Sequence, residues 1–112
     1  MLTGAERDHI NRKITTVEHA ALMRRTIRLT CPLCQHTRLF DAVGLWWHCQ
    51  HGGWGQQLAD VARRFYCESC WRTRCSSQRA RYIVTDEKPD DGKQFDYPPE
   101  SVWKKLVSRY RS

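Results

Sequence analysis

The feature that most restricts how this chain can fold is a pair of C-x2-C motifs, Cys31-Pro32-Leu33-Cys34 and Cys67-Glu68-Ser69-Cys70. Two thiolates two residues apart turn their sulfurs towards a common point. Two such pairs supply the four soft ligands that a tetrahedral zinc ion accepts. The competing use of cysteine is the disulfide, which requires an oxidising compartment. Glu6, Arg7, Asp8, Arg12, Lys13 and Glu18 interrupt the first 25 residues, and no apolar stretch of signal-peptide or membrane-spanning length follows. The expectation is a cytoplasmic protein with reduced thiols, no membrane partner, and one structural zinc ion per chain on Cys31, Cys34, Cys67 and Cys70. A 112-residue chain of 40% hydrophobic content builds a modest core, so a metal crosslink has a large share of the stability to supply.

Of the six cysteines, two remain. Cys49 lies in an apolar stretch beside Trp46 and Trp47, where a thiol behaves as a small hydrophobe. An alternative grouping joins Cys31, Cys34, Cys49 and His51 around one ion and leaves Cys67, Cys70 and Cys75 for a second. His36 and His48 lie near the motifs and read as surface or supporting residues. Asp8-His9-Ile10 has only a superficial likeness to a nuclease fragment.

The order of patterns predicts an α+β fold, with a helical hairpin between the two knuckles and further helices at both ends. Residues 1–25 read as an N-terminal helical arm or extension: Thr3-Gly4-Ala5-Glu6 has capping-box spacing, and Ile10, Ile14, Val17 and Ala21 share a helical face. The β-branched run 14–17 lowers that propensity, so the alternative is a helix broken near that point or a partly disordered arm. Residues 26–85 form the central domain. Thr26 to Thr30 alternates as a strand, Thr37 to Phe40 returns, and Asp41 caps a helix that Gly52-Gly53 ends. A second helix is expected from about Trp54 or Gly55 to Phe65, carrying Leu58, Val61, Ala62 and Phe65 inward. Arg79 to Thr85 reads as a strand beside Thr26 to Thr30. Residues 86–99, with Asp86, Glu87, Asp90, Asp91 and Asp96, read as an acidic linker. Residues 100–112 read as a basic amphipathic helix with Val102, Trp103, Leu106 and Tyr110 on its apolar stripe.

The segments 27–34 and 58–70, Ile-Arg-Leu-Thr-Cys-Pro-Leu-Cys and Leu-Ala-Asp-Val-Ala-Arg-Arg-Phe-Tyr-Cys-Glu-Ser-Cys, carry a resemblance. Together they resemble a group of small, largely uncharacterised bacterial zinc-ribbon-like proteins, in which two C-x2-C pairs flank a short helical region. The resemblance spans about residues 26–85 and implies a zinc-ribbon-like domain with a four-cysteine metal site. Trp71 stands where a glycine commonly follows the second pair, and Cys49 and Cys75 are additional. Such proteins tend to start just before the first strand, which would make Met23 the initiator.

The formal charge of +7 favours polyanionic partners. Arg63, Arg64, Arg72, Arg74, Arg79 and Arg81 interleave with Tyr66, Trp71 and Tyr82, a pattern suited to phosphate contact and base stacking. The expected function is therefore a non-enzymatic zinc protein that binds nucleic acid, with Trp71 and these arginines as the contact residues. The alternative is a protein-interaction module, an adaptor or an inhibitor from a mobile element, built on the five tryptophans and on arginine. No P-loop, G-x-S-x-G or H-E-x-x-H is present, and the C-x2-C pairs lack the alternating strand and helix frame of a thioredoxin. A helix-turn-helix between Asp41 and Phe65 is disfavoured, because the second helix offers few side chains to read bases.

Overall fold

Ile27 and Leu29 alternate with polar residues along Thr26–Thr30, and this strand, β1, becomes the centre of a three-stranded antiparallel sheet. The computed structural model describes residues 6–8, 10–65, 70, 72, 80–91 and 94–111. β2 is Thr37–Asp41 and β3 is Arg81–Thr85, in the order β2-β1-β3. Ile27 stands opposite Phe40 and Val84, all three of them buried, and Leu29 stands opposite Arg38 and Tyr82. The register thus sends one apolar row into the core, with β3 beside β1 as its pattern predicts. The chain is a small mixed α+β domain.

Helix α2 (Ala42–Gly52) follows β2 without a break. The Asp41 carboxylate accepts the Val43 N–H at 2.9 Å, and Gly53 leaves the helix at φ 65°. Both terminators act as their residue types dictate. Val43, Leu45, Trp46 and Cys49 are all at most 2% exposed, so α2 is buried on most of its circumference.

The N-terminal segment differs from expectation. Its helix, α1, covers only Val17–Leu22, capped by Thr16, whose hydroxyl accepts the His19 N–H. Upstream, the Asp8 carboxylate takes the N–H groups of Ile10 and Arg12, and Asn11 adopts φ 66°, which turns the chain at Ile10 and Asn11 instead of continuing a helix. The capping-box residues Thr3 to Ala5 lie outside the described residues. Ile10 is 56% exposed, whereas Ile14, Val17, Ala20 and Ala21 are buried in the same core as the sheet and α2.

Helix α3 is also shorter than the spacing predicts, at Leu58–Ala62. Two backbone bonds tie its start to the segment entering α1: Val17 N–H to Gln56 O, and Leu58 N–H to Thr15 O, each 2.9 Å. This pairing holds Gln57 extended and delays the helix. Leu58, Val61 and Ala62 face inward as expected.

Two residues of the acidic segment, Asp90 and Gln94, lie along β2. Asp90 N–H donates to the Leu39 carbonyl, the Asp90 carboxylate accepts Leu39 N–H, and the Gln94 side chain bonds Asp41 N–H and Leu39 O. The edge of β2 is thereby covered by side chains as well as backbone. Helix α4 (Glu100–Arg111) then packs back, with Leu106 buried and Trp103 edge-on to Trp46 at 6.1 Å. Tyr110, expected on its apolar stripe, is 38% exposed. Among the described residues, no helix is long and apolar enough to cross a membrane.

Candidate metal centre and flanking basic surface

Cys31 stands at the end of β1, where the strand gives way to a tight turn. Its N–H bonds the His36 carbonyl at 2.8 Å, and its own carbonyl accepts the Gln35 N–H at 2.9 Å. Gln35 closes the turn at φ 64°. This local geometry brings Cys34 back over Cys31, and the fold then adds Cys70 from the far side of α3. The three sulfurs lie within 4.8 Å of one another, with Cys31 and Cys70 Sγ 3.7 Å apart. Cys31 and Cys70 are buried and Cys34 is exposed. This cluster can hold a metal ion.

The spacing excludes a disulfide, in which the sulfurs would stand about 2 Å apart. It matches the edge of a tetrahedron: a metal–sulfur bond of about 2.3 Å places two ligating sulfurs about 3.8 Å apart. The thiol of Cys31 is held down to about 7, first because the Cys34 N–H points at its sulfur, and further by the Leu33 N–H and the neighbouring Cys70 and Cys34 thiols, against the opposing effect of burial. A sulfur already favoured as thiolate is the form a metal binds.

Of the four predicted ligands, Cys31, Cys34 and Cys70 come together, and Cys67 lies outside the described residues. The alternative grouping of Cys31 and Cys34 with Cys49 and His51 is not what the fold assembles: Cys70 takes its place beside them. Cys49 is fully buried in α2 and its thiol is pushed up to about 11 by burial, partly offset by Arg64. His51 Nδ1 lies 3.2 Å from the Trp47 carbonyl, one turn back on the same helix. Cys75 lies outside the described residues.

The predicted contact arginines follow the site. Arg63 and Arg64 leave α3, Arg72 comes two residues after Cys70, and Arg81 opens β3; all four are exposed. Arg63 pairs with Asp60 at 3.5 Å, and the Arg64 guanidinium lies 5.3 Å from the Trp54 ring centroid. Trp71, Arg74 and Arg79 lie outside the described residues. Trp46 is buried, and Trp47, Trp54 and Trp103 are half-buried against neighbouring rings. Sequence reasoning missed Arg38, which sits 4.7 Å from the Phe40 ring centroid, and Phe95, which stacks on Phe40 and His48. The period of β2 already put Arg38 and Phe40 on one face; nothing local pointed to Phe95. No match is found among protein-family models, curated proteins or solved structures.

Proposed function

We propose that this protein is a non-enzymatic zinc protein with a zinc-ribbon-like domain, and that it binds nucleic acid through the arginine-bearing surface beside its metal site. The observation that carries the reading is the convergence of Cys31, Cys34 and Cys70. Cys67, three residues before Cys70, supplies the fourth sulfur. Four sulfurs fill a tetrahedral zinc, so the ion crosslinks the strand end to the chain beyond α3 and leaves no position for a reactive water. The surrounding arginines Arg63, Arg64, Arg72 and Arg81 and the charge of +7 favour a polyanion. The packing of Trp46, Trp47 and Trp103 against one another within the fold favours this reading over a tryptophan-based protein-interaction module.

Elemental analysis of the purified protein is expected to find one zinc per chain, and Cys70→Ser to lose it. Two zincs, or none, would end the single-site assignment. For the partner, removing Arg63 and Arg64 together is expected to weaken nucleic-acid binding and flatten its salt dependence. Recovery of one defined protein after nuclease treatment, without nucleic-acid affinity, would replace this reading with the interaction module.

A further inference from the structure

Five rings from distant parts of the chain close into a circuit. Phe40 meets Phe65 at 5.3 Å and Phe95 at 5.4 Å; Phe95 stacks on His48 at 4.0 Å; His48 meets Trp54 at 4.9 Å; and Trp54 meets Phe65 at 5.7 Å. Phe40 is buried, while His48, Trp54, Phe65 and Phe95 are each only half-buried. Two guanidinium groups flank the circuit, Arg38 over Phe40 and Arg64 over Trp54. Exposed Asp96 follows Phe95 in the chain, and the positive groups at the circuit are Arg38 and Arg64.

We infer that this surface is a binding site for an unpaired nucleic-acid strand, with bases laid against Trp54 and Phe65 and phosphates held by Arg38 and Arg64. The inference rests on the nucleic-acid reading above and adds the form of the strand and the place where it binds. Unpaired bases offer their faces to aromatic rings, whereas in a duplex those faces are stacked on one another. Duplex reading in the major groove needs an inserted helix or ribbon. At this surface α2 is buried, and α3 is five residues long with three of them buried.

The test measures fluorescence anisotropy of the full chain with labelled oligodeoxythymidylate of about 20 nucleotides, a duplex of equal length, and oligouridylate. The expected result is both single strands bound at least about tenfold more tightly than the duplex, with Arg38→Gln/Arg64→Gln and Trp54→Leu each weakening them about tenfold. Unchanged zinc content and circular dichroism serve as the control for folding, and the surface double variant keeps the test decisive where Trp54→Leu unfolds. Equal affinity for strand and duplex, or an unaffected double variant, would overturn this inference while leaving nucleic-acid binding in place. Binding to none of the three would remove both.

Discussion

Asp8 shows how much one side chain can organise. Its carboxylate is fully buried and accepts from the N–H groups of Ile10 and Arg12, from the Arg12 guanidinium at 3.1 Å, and from His19 Nε2 at 3.0 Å when that nitrogen carries the proton. Burial alone would raise its pKa, but these donors together hold it at about 2, below the ordinary 3.8. A carboxyl depressed in the folded state stabilises the fold above its unfolded pKa, and that contribution fades as the pH falls from about 4 through about 2. Comparing chemical denaturation of the parent chain and Asp8→Asn across this range should show a deficit in the variant that is largest near neutrality and closes towards pH 2. A deficit independent of pH would mean that shape, not charge, is what Asp8 contributes.

At the scale of elements, the segment 86–99 joins the fold as a strap. Composition alone made it a linker, because acidic residues, proline and glycine usually signal solvent exposure. The strap holds because β2 is an edge strand whose unpaired backbone groups recruit Asp90 and Gln94, and because Phe95 finds rings to stack on. Gly44 records how close the strap lies: a Cβ there would stand 2.6 Å from the Phe95 carbonyl oxygen. Both partners are backbone, so neither can swing aside. Gly44→Ala is expected to destabilise the protein by about 1–3 kcal/mol, read as a lower urea midpoint. It should also raise hydrogen exchange along β2, an effect that a loss of helix propensity would not produce.

For the molecule as a whole, the three-stranded sheet is small and depends on what lies at its ends. One end is closed by Glu87, which accepts from the Thr26 hydroxyl through its carbonyl and from Arg28 and Thr85 through its carboxylate. The other end is the cysteine cluster. Structural zinc contributes on the order of 10 kcal/mol in small fingers, comparable with the whole stability of a domain this size. A strong chelator is therefore expected to lower the melting midpoint sharply and to abolish near-ultraviolet dichroism, with recovery on adding zinc but not magnesium. A chain that melts identically with and without chelator would show that its apolar core suffices.

The parts that were legible beforehand depend on near neighbours. Alternation in Thr26 to Thr30, the cap at Asp41, the stop at Gly53 and the C-x2-C turn at Cys31 each arise from contacts within a few residues, so the local pattern carries them. The C-x2-C repeat also anticipated that Cys70 would return to Cys31 and Cys34. Tertiary structure alone decided how far α1 and α3 extend, since the Gln56 and Thr15 carbonyls accept the Val17 and Leu58 N–H groups across the chain and so take backbone groups a longer helix would use. It decided likewise that the acidic strap lies on β2 and that Arg38, Trp54 and Phe95 share one surface. Those outcomes depend on which donor, acceptor or ring happens to stand opposite, and residues far apart in the chain meet only once the core has formed.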